Sequence, residues 1–374
     1  MKSRLLFKYT AKKGMVVNMT SRDLIDLDFM PLWELSEILD LAGEIIKNPR
    51  QYEDACKGKV LATLFYEPST RTQMSFQTAM LRLGGRIIGF DNPGNSSVSK
   101  GESLKDTIRV VSGYADIIVI RHPLEGTALA ASMYSKSPIV NAGDGGHLHP
   151  TQTLTDLVTL SQEKGRLSGL TVGLCGDLRN GRTVHSLIKT MTRFEGNRFV
   201  LISTKELSVP QYIRDCIVQS GSEYAEAESL DEAIGQLDVL YMTRIQKERF
   251  KNAQEYEKQK GVFVLDEPKL AKAKRDLKIL HPLPRVDEIS VDIDDDPRAI
   301  YFEQAEYGMY ARMALIMKML ETGEKLVPLK KRQTHGHTCK NKACITNYET
   351  YIPKRFSESG DMLVCKYCEE RLLL

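Results

Sequence analysis

The sequence predicts an α/β protein with two doubly wound parallel-sheet domains and a small C-terminal metal-binding domain. From about residue 30 to 320, short runs rich in valine, isoleucine and leucine alternate with helical patterns, as in parallel sheets whose strands are buried on both faces. The glycine-rich segment "NAGDGGHLHP" interrupts this alternation near residue 149. Beyond residue 338 the character of the sequence changes, because four of the seven cysteines lie there.

Length, charge and hydropathy narrow the class of protein. A chain of 374 residues can form two ordinary domains and a small third one. Its net charge of +3 is too small to indicate nucleic acid as the main partner. The strongest apolar run, residues 116–120, has the length of a strand, so we expect no membrane span. The N-terminal segment is basic, but its apolar stretch is too short and broken for a signal peptide, so we expect a cytoplasmic protein.

The elements follow in order along the chain. Strands are predicted at residues 59–65, 86–90, 116–120, 138–142, 170–176, 198–203, 238–242, 262–266 and 277–281. Helical periodicity is clearest in three of the intervening segments, residues 33–46, 182–194 and 303–321.

This order of elements predicts five segments. They are an N-terminal extension (1–20), a first domain (21–150) completed by a returning helix (303–325), a second domain (151–302), a linker (326–336) and the metal-binding domain (337–374).

The segment "FYEPSTRTQMSF" places hydroxyl groups and an arginine where a strand passes into a helix. A helix N-cap accounts for one serine or threonine at such a position. It does not account for Ser69, Thr70 and Thr72 around Arg71. Free N–H groups at a helix start, together with a planar guanidinium, favour phosphate. The P-loop pattern is missing, so the segment predicts an anion site that is not a nucleoside triphosphate site.

Arginines also follow other predicted strands. Arg121, Arg182 and Arg244 lie at strand ends or in the turns after them. Ligands of open α/β sheets bind at that edge, so converging arginines predict a polyanionic ligand set. His149 precedes Pro150 at a predicted helix start, where the helix dipole favours a neutral ring that can donate one hydrogen bond. The sequence has no G-x-G-x-x-G pattern and no evident activated nucleophile, so we expect no organic cofactor.

As a set, these motifs resemble those of the catalytic chain of aspartate carbamoyltransferases. The matching segments are "PSTRT", "SVSKGES", "RHP", "HPTQ", "GDLRNGRT", "TRIQKER" and "HPLPR". The similarity extends from about residue 22 to 325, and the tail from about residue 335 resembles the zinc domain of that family's regulatory chain. The resemblance implies transfer of the carbamoyl group of carbamoyl phosphate to the α-amino group of L-aspartate, in pyrimidine synthesis. It also implies a homotrimer with shared active sites. A larger homo-oligomer, joined through the zinc domain, is compatible with it.

The resemblance also implies a role for each matching residue. Carbamoyl phosphate binding is implied for Ser69, Thr70, Arg71, Thr72, Ser96, Lys100, Arg121, His149 and Gln152. Aspartate binding is implied for Lys100, Arg182, Thr183, Arg244, Gln246, Pro282 and Leu283. Catalysis is implied for Arg71, Thr72, Lys100, Arg121 and His149, and domain closure for Glu67, Arg182 and Arg249. Ser96 and Lys100 are expected to reach a neighbouring subunit's site, and the neighbouring Ser97 leaves the choice of serine open.

The cysteine spacing in the tail predicts a closed, tetrahedral, structural zinc site, one per chain. Its ligands are Cys339, Cys344, Cys365 and Cys368. Four thiolates complete the coordination shell, so no position remains for a substrate. So small a domain has little core of its own, and the metal should supply much of its stability. Four-cysteine zinc domains also bind nucleic acid, but acidic residues offset the basic run 330–332, so we expect none here.

Two alternative interpretations stay open. An ornithine carbamoyltransferase should carry a cysteine in the segment where this chain reads "HPLPR", and two arginines suit the two carboxylates of aspartate better than a cationic amino acid. A catalytically inactive homologue is the second alternative, although this sequence retains every polar site residue expected of an enzyme.

Overall fold

The computed structural model describes residues 23–247, 250, 252–321 and 337–373. The first sheet is parallel, in the strand order β2-β1-β3-β4. Its strands are β1 (Val60–Phe65), β2 (Arg86–Phe90), β3 (Ile117–His122) and β4 (Ile139–Asp144). Its helices are α1 (Leu32–Lys47), α2 (Thr70–Arg82), α3 (Leu104–Val111), α4 (Thr127–Ser132) and α5 (Pro150–Lys164).

The second sheet is also parallel, in the order β7-β6-β5-β8-β9. Its strands are β5 (Thr171–Cys175), β6 (Arg198–Ile202), β7 (Glu223–Ala227), β8 (Val239–Met242) and β9 (Lys278–Leu280). The helices of this domain are α6 (Arg182–Met191), α7 (Gln211–Ser220), α8 (Leu230–Ala233), α9 (Ala253–Gln259) and α10 (Glu267–Leu270). The long helix α11 (Tyr301–Glu321) then returns to the first domain and packs on α1, α2 and α5.

Central strand residues alternate between two apolar cores, because successive side chains of a strand point to opposite faces. Ile117 and Val119 of β3 pack in the core that contains α1, α5 and α11. Ile118 and Ile120 face the opposite core, with α3 and α4. Burial on both faces explains why β3 is apolar along most of its length.

The predicted fold class is confirmed, with two errors among the strands. Residues 262–266, which the structure describes, contain only an isolated bridge between Leu265 and Ile289, and Asp266 caps α10 instead. The strand missing from the prediction is β7, an edge strand of sequence EYAEA that pairs with β6. Its polar, half-exposed residues lack the apolar run that marks a strand buried on both faces. The predicted N-terminal extension and linker lie outside the described residues.

The cysteine-rich domain contains a small antiparallel sheet of β10 (Phe356–Ser359), β11 (Met362–Cys365) and β12 (Arg371–Leu373). It packs on the first domain of its own chain and shares one apolar core with α3 and α4. The N–H of Glu125 donates to the carbonyl of Ala343 at 2.8 Å, and the N–H of Ile345 returns a bond to the carbonyl of Glu125 at 2.9 Å. Gly126, at φ +80°, leaves no space for a side chain, because a Cβ there would lie 2.4 Å from Cβ of Tyr367. These contacts fix the tail against the first sheet.

None of the described helices combines the length and the apolar character that a bilayer span requires.

Candidate active site

A cavity of about 470 Å³ lies between the two parallel-sheet domains, at the carboxyl ends of their strands. Thirteen of the candidates named from the sequence line it. They are Ser69, Thr70, Arg71, Thr72, Arg121, His149, Gln152, Arg182, Thr183, Arg244, Gln246, Pro282 and Leu283. Glu67, Ser96 and Lys100 are described but do not line it, and Arg249 lies outside the described residues.

One corner of the cavity is the N-terminus of α2. Ser69 occupies the N-cap position, yet its side chain makes no capping hydrogen bond. Its hydroxyl instead donates to Oγ1 of Thr72 at 3.1 Å. Burial lowers the pKa of Arg71, but a guanidinium stays protonated at neutral pH. The hydroxyls, the first N–H groups of the helix and the guanidinium thus form a site for an anion.

Arg121 lies near the end of β3, with only 9% of its surface exposed. Burial lowers its pKa, and Glu67 opposes that effect with a carboxylate oxygen 2.8 Å from Nη2. The guanidinium also donates to the carbonyl of Ala142 at 3.2 Å. The resemblance implies that Glu67 bridges to Arg182 and Arg249 when the domains close; in this structure Glu67 pairs with Arg121, and Arg249 lies outside the described residues. The carboxylate thereby compensates a buried positive charge at the edge of the cavity.

His149 occupies the N-cap position of α5, and its Nε2 lies 3.4 Å from Nη1 of Arg121. Its pKa is well below the ordinary value because of burial, and then because of the positive charges of Arg182, Arg121 and Arg312. The neutral ring expected from the sequence is therefore favoured, although chiefly through burial rather than the helix dipole.

The opposite side of the cavity comes from the second domain. Arg182 is the first residue of α6, and its guanidinium donates to the carbonyl of Gly145 in the first domain. Arg244 follows β8 by two residues, and Gln246 donates from Nε2 to the carbonyl of Asn180 at 3.3 Å. Two cationic side chains from one domain thus face the anion corner of the other.

Several lining residues were not predicted from the sequence. They are Ser75, Thr155, Thr243, His281, Tyr301, Gln304 and Arg312. Arg312 lies among apolar residues of α11, and only 4% of its surface is exposed. Burial lowers its pKa to about 10. Its Nη1 donates to the carbonyl of Gly308 at 2.7 Å. The signal in the sequence was a lone arginine inside "YARMALIM".

The four tail cysteines form a second site, and none of them lines the cavity. Their sulfur atoms all lie within 4.8 Å of one another, and none is in a disulfide. Sγ of Cys339 lies 3.5 Å from that of Cys368, and Sγ of Cys344 lies 3.9 Å from that of Cys365. A tetrahedral metal with sulfur bonds of about 2.3 Å requires sulfur–sulfur separations of about 3.8 Å. The buried thiols therefore suit a structural metal.

Family models match most of the chain. The carbamoyl phosphate-binding domain of aspartate/ornithine carbamoyltransferases matches residues 22–162, and the aspartate/ornithine-binding domain matches residues 168–319. The metal-binding domain of the aspartate carbamoyltransferase regulatory chain matches residues 337–373.

Similar proteins agree with these matches. The aspartate carbamoyltransferase catalytic subunit of Clostridium novyi is 58% identical over 299 residues, 80% of this chain and 98% of that protein. That of Clostridium acetobutylicum is 59% identical over 300 residues, with the same coverage.

Solved structures agree as well. The catalytic subunit of M. jannaschii aspartate transcarbamoylase aligns with a TM-score of 0.76 at 49% identity, over 80% of this chain and 98% of that one. The Trypanosoma cruzi aspartate transcarbamoylase in complex with carbamoyl phosphate and aspartate aligns with a TM-score of 0.75 at 36% identity, over 79% and 96% of the two chains. The chain belongs to the aspartate carbamoyltransferase family, and it joins that family's catalytic domains to the metal-binding domain of the regulatory chain.

Proposed function

We propose that this chain transfers the carbamoyl group of carbamoyl phosphate to the α-amino group of L-aspartate. The products are N-carbamoyl-L-aspartate and phosphate, in pyrimidine synthesis. The observation that carries the proposal is the meeting of Arg71, Arg121, Arg182 and Arg244 around one cavity that also contains His149. Such a site suits two anionic substrates, which repel each other unless cationic groups hold both.

Carbamoyl phosphate binds in the first domain under this proposal. Ser69, Thr70 and Arg71 hold the phosphate at the start of α2. Thr72, Arg121 and His149 surround the carbonyl oxygen, and Gln152 lies at the carbamoyl nitrogen. Support comes from the Ser69 side chain, which makes no capping hydrogen bond, and from the low pKa of His149, which favours a neutral ring beside the charged Arg121.

Aspartate binds from the second domain. Arg182 and Arg244 hold its two carboxylates, with Thr183 and Gln246 beside them, and the carbonyls near Pro282 and Leu283 accept from the amino groups of both substrates. Ornithine, with its cationic side chain, suits two guanidinium groups poorly, and the turn "HPLPR" lacks the cysteine expected of an ornithine enzyme. The site therefore favours aspartate.

The reaction needs no nucleophile from the protein. The aspartate amine forms a bond to the carbamoyl carbon, the carbon–oxygen bond to phosphate breaks, and the departing phosphate takes the proton that the amine loses. Negative charge grows on the carbonyl oxygen in between, where Thr72, Arg121 and His149 stabilise it; loss of one such donor typically costs on the order of 100-fold in rate.

We further infer that the structural metal is zinc, bound by the four tail cysteines, because zinc favours four thiolates in a closed tetrahedron. We also propose a homotrimer in which Ser96 and Lys100 complete a neighbouring subunit's site. Both lie on or beside the 3₁₀ turn Ser97–Lys100, outside the cavity of their own chain, and Lys100 is exposed. Larger assemblies through the metal-binding domain, and a cytoplasmic location, stay predictions.

The decisive assay supplies carbamoyl phosphate with either aspartate or ornithine. We expect release of phosphate with stoichiometric N-carbamoyl-L-aspartate, and no product with ornithine beyond the spontaneous breakdown of carbamoyl phosphate. Product from ornithine at a comparable rate would identify the sister activity, and no product from either would indicate an inactive homologue.

A further inference from the structure

Asp156 lies one helical turn beyond Gln152 on α5 and is completely buried. Its Oδ1 accepts from Nε2 of Gln152 at 2.8 Å and from Nε2 of Gln304 at 2.7 Å. Its Oδ2 accepts from the hydroxyl of Tyr241 at 3.0 Å. The donors come from α5, α11 and β8, so one carboxylate joins three elements around the cavity.

The carboxylate determines which end of each amide faces it. An ionised carboxylate only accepts hydrogen bonds, so both glutamines must turn their NH₂ groups toward Asp156. Gln304 then presents its oxygen to the N–H of His281, at 2.9 Å. Gln152 lines the cavity, and its oxygen is the end left for a ligand there.

The same orientation is kept if Asp156 gains a proton. Oδ1 receives both amides, whereas Oδ2 faces a hydroxyl that can accept as readily as it donates. A proton on Oδ2 therefore leaves Oδ1 an acceptor, and neither amide has to turn.

Two acceptors result in the same cavity. One is the side-chain oxygen of Gln152. The other is the main chain of the 281–284 turn, in which Gln304 accepts from the His281 N–H and Pro282 and Leu283 line the cavity. Both can accept a hydrogen bond from an NH₂ group on the acyl carbon. A methyl group in that place donates no hydrogen bond to either of them.

We propose that Asp156 is a positioning residue that sets the site's preference for an acyl phosphate bearing an amino group. It does so by fixing the amide of Gln152, directly, and the 281–284 turn, through Gln304. This inference rests on the proposed function, because it assumes that carbamoyl phosphate occupies the cavity. Acetyl phosphate is the matching probe, since it keeps the phosphate and the carbonyl but carries a methyl group in place of the amino group.

The test compares kcat/KM for carbamoyl phosphate with the inhibition constant of acetyl phosphate, in the full-length protein. In Asp156→Ala we expect kcat/KM to fall by about 10-fold or more, because the acceptors are no longer fixed, while acetyl phosphate binding changes by less than about 3-fold. Asp156→Asn should restore the preference, because its Oδ1 can accept from both amides. Tyr241→Phe removes the hydrogen bond to Oδ2 and leaves both amides on Oδ1, so it should leave the preference between the two acyl phosphates unchanged, even where the loss of the hydroxyl's contact with Thr183 weakens aspartate binding.

An equal loss for both ligands in Asp156→Ala, or an unchanged preference, would overturn the inference. If Asp156→Ala does not fold, Gln304→Leu decides by the same comparison: a loss confined to carbamoyl phosphate supports the inference, and an equal loss overturns it. The proposed function is tested separately by the wild-type protein, which must form N-carbamoyl-L-aspartate whatever the variants do.

Discussion

Glu369, which directly follows the last cysteine of the metal cluster, lies 3.2 Å from Nζ of Lys189 on α6. On its other side, Nε2 of His147 lies 3.8 Å away, and Nδ1 of His147 lies 3.2 Å from Asp144 at the end of β4. One carboxylate of the cysteine-rich domain thus contacts both parallel-sheet domains. The docked tail is therefore placed to restrain the loop that leads from β4 to His149.

Glu369→Gln should loosen that loop. The side chains of Lys189 and His147 are largely buried, at 17% and 11% exposure, whereas Glu369 is 43% exposed, so losing its charge should cost about 1 kcal/mol or less. Amide hydrogen exchange at residues 144–148 should become faster. Glu370→Gln is the matched control, because it makes the same change one residue further on; equal exchange rates in the two variants would contradict the proposed restraint.

Removing the metal should release the cysteine-rich domain from the first domain. The buried cysteines share an apolar core with Ile345, Tyr367 and the helices α3 and α4, so loss of the metal disrupts packing beyond the cluster itself. We expect a chelator to lower the unfolding temperature and to make the tail sensitive to protease, and added zinc to reverse both effects. Cys216→Ser, outside the cluster, should respond to the chelator like the wild type, and unchanged melting after complete metal removal would refute the stabilising role.

Local patterns predicted the strand-end arginines of the cavity, because strand ends are recognisable in the sequence and parallel strands bring their carboxyl ends together. Arg71 and Arg121 are examples. The family resemblance alone implied Gln152, Thr183, Gln246, Pro282 and Leu283. The pairing of Glu67 with Arg121 required the strand order as well, since β1 and β3 are neighbours only in the folded sheet. Asp156 was missed for a similar reason: its partners Tyr241 and Gln304 are 85 and 148 residues away. Tertiary packing creates such a contact, and it leaves no periodic pattern in the sequence from which it could be predicted.

The proposed homotrimer with shared active sites predicts recovery of activity when two inactive variants are mixed. Arg71 lines the cavity of its own chain, whereas Lys100 does not. Arg71→Ala and Lys100→Ala should each be nearly inactive and still folded. Co-expressed in equal amounts, they should regain about a quarter of the wild-type sites, since an intact site needs Arg71 from one subunit and Lys100 from the next.

A matched control pairs Arg71→Ala with Arg121→Ala. Both residues line one chain's cavity, so no mixture of these two variants contains an intact site. Recovery in this control, or none in the first mixture, would argue against sites shared between subunits.

His122 predicts a specific loss of stability in acid. Nδ1 of His122 accepts the N–H of Leu124 at 3.0 Å, and burial lowers the pKa of the ring to about 4, although Asp144 opposes this. An unfolded histidine titrates near pH 6.5, so between about pH 6.5 and 4 the unfolded chain binds a proton that the folded chain does not. The free energy of unfolding therefore keeps this contribution above pH 6.5 and loses it as the pH falls toward 4.

His122→Asn isolates that contribution, because the Asn side-chain oxygen can accept the same N–H without titrating. We expect the variant to lose about 1 to 2 kcal/mol less stability than the wild type between pH 7 and 5, measured by denaturant unfolding at one protein concentration. His337→Asn, at an exposed histidine of the tail, provides the control and should follow the wild-type curve. Parallel curves for His122→Asn and the wild type would show that the ring is protonated as easily in the folded protein as in the unfolded chain, and that its burial imposes no charge penalty.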